Sequence, residues 1–524
     1  MAKNITKVYL LDVPLESDYK NTLYFNSLAG QQAYFQSRVL KSYTDFSYQR
    51  KDHIIRIPEE YDEIYNANYV MYQNTAYSNK WFYAFIKELK YVNDGMTEAV
   101  IETDVIQTWL FDYTVKSSFV EREHVDSDTV GSHTVPEQVE TGEYICNAHN
   151  TDATMDSLLE DFRYVLSLTE DYDKIVDPTL LKFPGGRYNG IYSGAKYYGL
   201  DSSSEIGIWL NAIDNKGKGD AICGLFIAPK WLSAKETGSF AVAESNTPQT
   251  YTITQNKLTT LNGYTPRNKK LLTYPYIYML ASNNQGGDVI YHYEKFSGNT
   301  CSFNVKGALT PGCSIRMTPS NYNGANVNEV EGLNLGKFPI CAWTNDMYTN
   351  WLTQNSVNIA TGFVSSGASA LAGVGLMATG AGAMAGAGML ASGLLGITNA
   401  IGEIYQHSLV PRQASGNLNA GDVVTAGGTN TFHFYQMSIK QEYARIIDGY
   451  FDMFGYKVNA VKVPNTHHRS RWWYTKCIDV SIDGNIPGND IQKIKDCYNS
   501  GIRFWRNANE IENYSLSNGI SNVV

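Results

Sequence analysis

The sequence predicts a mainly β protein with α+β elements, and three observations lead to this fold class. Tyrosine occurs 38 times and aromatic residues make up 13% of the chain, a composition that favours strands and large packed interfaces. Charged residues make up only 18%, below the usual share of about a quarter. Aromatic-rich runs alternate with clusters of Gly, Asn, Ser and Pro, as in short strands joined by turns. With 524 residues, the chain is long enough for several domains.

The clearest strand signal is a pair of runs near the N-terminus. Residues 80–92 form an aromatic-rich run, an Asn-Asp-Gly turn follows, and residues 97–110 form a second run. This pattern predicts a long β-hairpin. Alternation in the second run predicts a buried face and an opposite, solvated face that carries Glu98, Glu102 and Asp104.

Other strand signals surround this hairpin. Residues 8–13, 69–73 and 118–124 are strand-like and are expected in the same sheet system. From residue 151 to 336 short strands alternate with turn clusters, which predicts an inserted β-rich domain. Within it, residues 156–166 are expected to form a short helix.

The C-terminal part combines helices and strands. Residues 441–454 have helical periodicity, and residues 455–458 and 473–482 look like strands. Residues 490–500 predict an amphipathic helix with Asn489 as its N-cap and Gly501 as its stop.

The chain therefore divides into five predicted parts. Residues 1–150 form a β-rich domain, 151–336 an inserted β-rich domain, 337–356 a return segment, 357–404 an apolar segment, and 405–524 an α+β domain.

Charge and cysteine content limit the possible partners and compartment. The formal net charge of -10 and the pI near 5.5 argue against a general affinity for nucleic-acid phosphates. The first twenty residues lack the pattern of a secretory signal, so we expect synthesis in a cytosol. The seven cysteines form no C-x-x-C pair and are expected to be buried, reduced thiols.

The most unusual feature is the long stretch between Asp346 and Glu403, which contains no Asp, Glu, Lys or Arg. Its centre, residues 362–402, is rich in Gly and Ala and is longer than the roughly 20 residues that cross a bilayer core. Small-residue spacing such as Gly382-x-x-x-Gly386 favours helix association. The residues expected to act in a membrane are Phe363, Val364, Leu371, Val374, Leu376, Met377, Gly382, Met384, Gly386, Met389, Leu390, Leu394, Leu395, Ile397 and Ile401.

The free energy of transfer into a bilayer indicates that this segment inserts only under certain conditions. Each strong hydrophobe contributes about 0.3–0.6 kcal/mol at mid-bilayer, so the total is only a few kcal/mol. Each glycine costs about 0.5–1 kcal/mol relative to alanine in a helix. A buried helical hairpin or a flexible linker is the alternative interpretation.

Overlapping glycine motifs in the same segment match a permissive dinucleotide-binding fingerprint. Because no Val- and Ile-rich strand precedes them, we expect no bound cofactor.

The sequence contains no recognisable catalytic or metal motif. The densest group of possible ligands is His467 and His468, which we interpret as part of a polar surface loop rather than a metal site. Catalytic and metal-binding residues are therefore predicted to be none. A glycosidase pair among Glu98, Glu102, Asp104, Glu121 and Glu123 stays open, because two carboxylates brought together by folding leave no sequence signature.

Several short runs at both ends of the chain are distinctive as a set, namely residues 12–14, 18–22, 79–85, 104–109, 118–119, 122–125, 455–459 and 484–505. Together these runs resemble the tail-knob proteins of small podoviruses that infect Gram-positive bacteria. Residues 151–260 do not match this family.

This resemblance implies a homohexameric tube with β-barrel-like domains, capped by an inserted β-rich knob domain, at the tip of the virion tail. It implies a conduit for viral DNA, which passes without specific binding, and partners that include the proximal tail or collar and a tail-tip protein. It also implies that a long apolar Gly/Ala-rich loop, here residues 357–404, plugs the lumen and then forms a pore in the host cytoplasmic membrane.

Two alternatives come from other functional classes. One is a tail-tip hydrolase of cell-wall glycan that uses the acidic sheet face. The other is a receptor-binding module in which aromatic residues of the middle domain bind a wall carbohydrate, for example Tyr188, Tyr192, Trp209 and Trp231.

Overall fold

The computed structural model describes two compact units of the chain. The first comprises Met1–Glu143, Gly263–Leu272 and Lys440–Val524, and the second Tyr144–Asn262 and Thr273–Ile439, so the chain passes between them four times. The described residues are 6–46, 53–75, 78–155, 162–168, 187–188, 191–192, 196–200, 203–218, 221–232, 250–284, 286–308, 314–323, 332–336, 340–346, 412–415 and 431–521. The five-part division stays a prediction.

The larger sheet of the first unit has six strands in the order β3-β1-β5-β6-β7-β4, and every neighbouring pair is antiparallel. Residues 8–13 and 69–73 contribute to it, as predicted. The strands are β1 (Thr6–Leu11), β3 (Val39–Phe46), β4 (Ile54–Ile57), β5 (Tyr69–Asn74), β6 (Trp81–Asn93) and β7 (Met96–Thr103).

The second sheet of this unit has five strands in the order β2-β28-β26-β9-β25. Its strands are β2 (Asn21–Leu23), β9 (Ser118–Glu123), β25 (Tyr456–Lys462), β26 (Trp472–Ile478) and β28 (Ile502–Trp505), and a separate ribbon pairs β8 (Tyr113–Val115) with β27 (Ile482–Gly484). The expectation that residues 118–124 join the first sheet is wrong. Strand β9 instead pairs with β25 and β26, and such distant pairing has no local sequence signal.

Five α-helices complete the first unit within its described residues: α1 (Leu28–Gln36), α2 (Tyr61–Ile64), α3 (Val105–Trp109), α5 (Gln441–Phe454) and α6 (Gly488–Ser500). Helix α5 has the predicted bounds. Helix α6 is confirmed, but Pro487, not Asn489, occupies the N-cap position and provides no side-chain cap. Gly501 ends α6 with a φ of 92°, the left-handed conformation that glycine adopts readily.

The predicted hairpin is confirmed as β6 and β7, but its second arm is shorter than expected. The chain leaves the sheet after Thr103 and forms α3. The carboxylate of Asp104 accepts the N–H of Gln107 and caps this helix. Asp104 is therefore buried instead of lying on the solvated face, whereas Glu98 and Glu102 are half-buried on that face.

The core of the first unit joins the beginning of the chain to its end. One apolar cluster combines Val8 and Ile101 of the larger sheet with Trp473 and Phe504 of the second sheet and Ile494 of α6. Burial of such side chains contributes roughly 1.5–3 kcal/mol each. The two sheets therefore depend on one another for stability.

Within its described residues, the second unit contains three antiparallel sheets in the orders β10-β24-β17-β18, β14-β11-β15-β22-β23 and β16-β19-β20-β21, and the ribbon β12-β13. The strands are β10 (Tyr144–Thr151), β11 (Phe162–Leu168), β12 (Arg187–Tyr188), β13 (Ile191–Tyr192), β14 (Lys196–Leu200), β15 (Ile222–Pro229), β16 (Thr250–Asn256), β17 (Ile277–Ser282), β18 (Asp288–Tyr291), β19 (Thr300–Ala308), β20 (Ser314–Pro319), β21 (Leu333–Leu335), β22 (Ile340–Asp346), β23 (Arg412–Ser415) and β24 (His433–Ile439). Helix α4 spans Ser203–Asn215.

The mainly β fold class is confirmed, but one helix prediction in the second unit is wrong. Residues 162–166 belong to β11, which lies between β14 and β15, while residues 156–161 lie outside the described residues. An apolar run in a central strand is buried on both faces, so its periodicity does not distinguish it from a helix.

The cysteine prediction holds for three of the four thiols whose side chains are described. Cys301, Cys477 and Cys497 are buried and free. Burial raises the pKa of each thiol to about 12, so these thiols are inert at neutral pH. Cys146 is exposed, and the prediction of burial is wrong for it.

Candidate functional site

The apolar segment that the sequence singled out, residues 357–404, lies outside the described residues. The fifteen side chains expected to act in a membrane are therefore not placed by the structure. Among the helices that the structure does describe, none is both long enough and apolar enough to cross a bilayer.

Of the five carboxylates considered for glycoside hydrolysis, Glu98 and Glu102 lie on β7 of the larger sheet and Glu121 and Glu123 on β9 of the second sheet. Four of them contact a lysine or arginine, as carboxylates with a structural role do. The pairs are Arg56–Glu98, Lys493–Glu102, Lys476–Glu121 and Lys462–Glu123, with N···O distances of 2.9, 3.2, 2.9 and 2.6 Å. The fifth, Asp104, is the buried cap of α3.

The structure describes the side chains of two of the four aromatic residues considered for carbohydrate binding in the middle of the chain, Trp209 and Trp231. Trp209 is buried in an apolar cluster that includes Tyr198, so its predicted binding role is wrong. Trp231 is half-buried and packs edge-on against Tyr251, with ring centroids 4.7 Å apart. Tyr188 and Tyr192 lie on β12 and β13, where only the backbone is described.

The histidine pair at 467–468 is where the structure departs most from the predicted polar loop. His467 lies in the wall of an aromatic-lined cavity of about 280 Å³ in the first unit, together with Tyr24 and Trp473. We call this cavity the aromatic pocket. The His467 ring centroid is 4.4 Å from that of Tyr24 and 5.4 Å from that of Trp473. No group of three His, Cys, Asp or Glu side chains suited to a metal occurs in the described part of the chain.

The backbone at His467 has an unusual conformation. Its φ is 71°, in the left-handed region that side chains other than glycine rarely adopt. Arg506 donates a 2.8 Å hydrogen bond to the His467 carbonyl, and its guanidinium carbon lies 5.7 Å and 5.4 Å from the ring centroids of Tyr24 and Trp473. Arg506 thereby holds the strained residue against both rings.

Two side-chain nitrogens of residues that line the pocket, Nδ1 of His467 and Nε1 of Trp473, are buried without a hydrogen-bond partner among the described residues and are not accessible from the cavity. The other ring nitrogen of His467, Nε2, lies 3.4 Å from the Tyr24 hydroxyl. Burial, reinforced by Arg506, lowers the pKa of His467, and its imidazole is therefore neutral at pH 7. No Asp, Glu, Lys or Arg lines the pocket.

A second surface feature of the first unit is an exposed row of three apolar side chains, which we call the apolar row. Phe119 of β9 lies opposite both Val461 of β25 and Ile478 of β26. Their exposed fractions are 37%, 72% and 53%. Strand β25 is the outermost strand of its sheet in the described structure. Contiguous apolar surface of this kind commonly marks a contact with another protein.

Family comparisons place the chain among the tail proteins of bacterial viruses. A model described as "Bacillus phage phi29, Tail knob protein gp9, C-terminal domain" matches residues 240–519, and one described as "Caudoviral major tail protein N-terminus" matches residues 4–114. The protein therefore belongs to the class of structural components of phage tails. Because the first model matches more than half of the chain, the chain belongs to the tail knob protein family of podoviruses, and the predicted resemblance is confirmed.

Individual relatives agree with this assignment over nearly the whole chain. The tail knob protein gp9 of Bacillus phage B103 is 24% identical and that of Bacillus phage phi29 is 26% identical, with 97% of this chain and 97% of each relative covered. The solved structure of the bacteriophage C1 tail knob protein, gp12, matches with a TM-score of 0.64 over 98% of this chain and 100% of that one. At 15% identity this match demonstrates the fold alone. The protein is a virion component located at the tail.

Proposed function

We propose that this tail knob protein assembles as a homohexamer into the distal tube and knob of the tail, through which the viral genome leaves without specific binding. In this proposal residues 1–150 and 405–524 form the tube and residues 151–336 form the knob. The proximal tail or collar and a tail-tip protein adjoin it. We assign it a structural role rather than an enzymatic one, because its relatives are named as tail knob proteins and four of the candidate carboxylates contact basic side chains.

We further propose that residues 357–404 of each subunit plug the lumen and enter the host cytoplasmic membrane during ejection. The single observation that carries this proposal is the absence of charge from residue 347 to residue 402. Such a stretch avoids water either inside an assembled tube or in lipid. Because its transfer into lipid is favourable by only a few kcal/mol, packing within the tube is sufficient to retain it until ejection.

Two further features support a tube of several copies. The apolar row leaves three large apolar side chains of a single chain in water, and contact with another copy would remove them from water. The net charge of -10 suits a lumen that repels the DNA backbone, because like charges prevent the passing genome from adhering to the wall.

The membrane role is tested first with a peptide that spans residues 362–402. We expect it to release a self-quenched dye from liposomes on dilution from denaturant. A matched peptide carries Leu376→Lys and Leu390→Lys, each of which costs about 2.5–3.5 kcal/mol at mid-bilayer and so removes the favourable balance. Equal release by both peptides, or release by neither, would contradict the proposal.

The same two substitutions test the role in the virion. Phage that carry them should assemble and adsorb to host cells but fail to deliver DNA.

Electron microscopy and native mass measurement of the purified protein test the assembly separately. A ring of six subunits with a central channel is expected, and a monomer at micromolar concentration would exclude the tube.

A further inference from the structure

We propose that two connecting segments of the first unit form one conformational latch, which is closed in this structure and opens in a single all-or-none step. The first connection is residues 126–143, between β9 and β10, and the second connection is residues 263–272, between β16 and β17. Three of the four passages of the chain between the two units lie at the ends of these segments. One opening step would therefore loosen three links to the second unit. The inference goes beyond the conduit and the membrane segment and rests on neither.

Two acidic side chains hold the first connection, none of whose residues belongs to a helix or a strand. The carboxylate of Asp128 accepts the hydroxyl of Tyr456 at 2.8 Å and the backbone N–H of Lys269 at 3.0 Å. The carboxylate of Glu137 contacts the ammonium of Lys270. Because Lys269 and Lys270 belong to the second connection, both acidic side chains tie the two connections to each other directly.

Helix α5 holds the second connection through two carboxylates that are about one helical turn apart. Oδ2 of Asp448 accepts the hydroxyl of Tyr264 at 2.6 Å and the backbone N–H of Arg267 at 2.8 Å. The side-chain amide of Asn268 donates to Oδ1 of Asp448 and to Oδ1 of Asp452, each at 2.8 Å. The guanidinium of Arg267 contacts the carboxylate of Asp452. The second connection therefore contacts acidic side chains of both the first connection and α5.

The burial of these charges makes the opening cooperative. The side chains of Glu137 and Lys270 are 1% and 3% exposed. If the first connection left alone, Lys270 and Arg122 would lose the carboxylate that both of them contact. If the second connection left alone, Glu137 would lose one of its two cations, and Asp452 would lose the guanidinium of Arg267. A buried charge without its partner is strongly destabilising, so the release of one connection alone is disfavoured.

The competing interpretation is that both connections are permanent parts of the core and open only when the whole unit unfolds. Their backbone argues against it. The first connection has irregular backbone throughout, and the regular structure of the second is a 3-10 turn at Lys269–Leu272. Segments outside the sheet hydrogen-bond ladders commonly open locally, at a lower free energy than the sheets that surround them. The latch should therefore open while the two sheets of the unit stay intact.

The test uses the purified full-length protein and hydrogen–deuterium exchange followed by mass spectrometry. Peptides from the first connection, the second connection and the β6–β7 hairpin are compared, and the hairpin serves as the reference for unfolding of the whole unit. In the wild type we expect the most protected amides of the two connections to have the same protection factor, and the hairpin to be better protected. Unequal protection of the two connections would overturn the latch.

Variants connect the opening to the buried charges. Glu137→Gln keeps the shape of the side chain but leaves two cations near one another, so exchange should accelerate by roughly a hundredfold in both connections, although the change lies in only one of them. Glu140→Gln makes the same change at an exposed position of the first connection and should exchange as wild type. Adding Lys270→Met to Glu137→Gln removes the ammonium that lost its partner and should restore part of the protection in both connections.

Two outcomes with Glu137→Gln would also reject the latch. Faster exchange confined to residues 126–143 would show that the two connections open independently. An equal acceleration in the β6–β7 hairpin would show that they open only with the whole unit. Should Glu137→Gln fail to fold, Asn268→Ala replaces it. This change removes the amide that joins Asp448 to Asp452 from the second connection, and it is expected to accelerate exchange equally in the first.

Discussion

The hydroxyl of Tyr69 donates a 2.8 Å hydrogen bond to Oδ2 of Asp104, while Oδ1 of the same carboxylate accepts the N–H of Gln107 at 3.0 Å. Asp104 thus connects strand β5 to the first turn of helix α3. Both Tyr69 and Asp104 are buried. Burial raises the pKa of Asp104 from 3.8 to about 6, because the charged form loses its hydration.

This pKa predicts a specific dependence of stability on pH. Since the pKa of Asp104 is higher in the folded state than in the unfolded state, its stabilising contribution is complete below about pH 4 and is lost as the pH rises through 6. The contribution is roughly 3 kcal/mol. Wild-type protein should therefore lose unfolding free energy between pH 4 and pH 7, and the Asp104→Asn variant should lack the portion of this loss that Asp104 causes. Denaturant unfolding at several pH values measures both.

Tyr69→Phe provides the matched comparison. It removes the hydroxyl that stabilises the carboxylate, so the pKa of Asp104 should rise further and the fall in stability should be larger and extend to higher pH. Identical slopes in wild type and both variants would mean that Asp104 does not titrate in this range.

Helix α5 contains Gly449 in its interior and ends at the C-cap residue Gly455. We expect substitution by alanine to have opposite effects on stability at these two positions. Gly455 has a φ of 64°, and a Cβ there would lie 2.1 Å from the backbone carbonyl oxygen of Glu123. Gly455→Ala should therefore destabilise the protein by roughly 2 kcal/mol or more. Gly449 has open space around its Cβ position, and Gly449→Ala should stabilise it by about 0.5–1 kcal/mol. Thermal unfolding distinguishes these results, and equal melting temperatures would refute the C-cap argument.

A buried charge cluster predicts a large effect of removing one carboxylate. Glu137 contacts both Arg122 and Lys270, and the side chains of Glu137 and Lys270 are only 1% and 3% exposed. Glu137→Ala leaves two cations buried near one another and should cost roughly 3–5 kcal/mol of unfolding free energy. Glu143→Ala removes an exposed partner of Lys440 and should have no measurable effect in the same urea titration. A similar loss in both variants would show that burial does not determine the effect.

The apolar row predicts that a charge within it weakens self-association. Ile478→Lys places an ammonium group beside Phe119, and burying it between subunits would cost hydration without a partner. We expect sedimentation velocity to show dissociation into smaller species. Ile446→Lys makes the same change at an exposed position of α5, 69% accessible, and should leave the oligomer intact. Loss of the oligomer in Ile446→Lys but not in Ile478→Lys would place the contact between subunits on helix α5.

The sequence predicted those strands and helices whose signals come from residues close together in the chain. The β6–β7 hairpin and helix α5 were recognisable because a turn signal and a 3.6-residue period lie within a dozen residues. Helix α3 was missed because the alternating pattern of β7 continues through Asp104, and only packing shows that this residue caps a helix. The aromatic pocket was missed entirely, since Tyr24 and Trp473 lie far apart in sequence and an isolated pair of histidines favours a surface loop.

The amino-acid sequence by itself determined the mainly β class, the uncharged segment between Asp346 and Glu403, and the resemblance that the family comparison confirmed, because composition and short motifs are local properties of the chain. Only the tertiary structure decided that β9 pairs with strands from the end of the chain, that Asp104 is buried, and that His467 lies against aromatic rings. These features depend on which distant residues share the same core, and that choice is made by the summed packing of the whole unit.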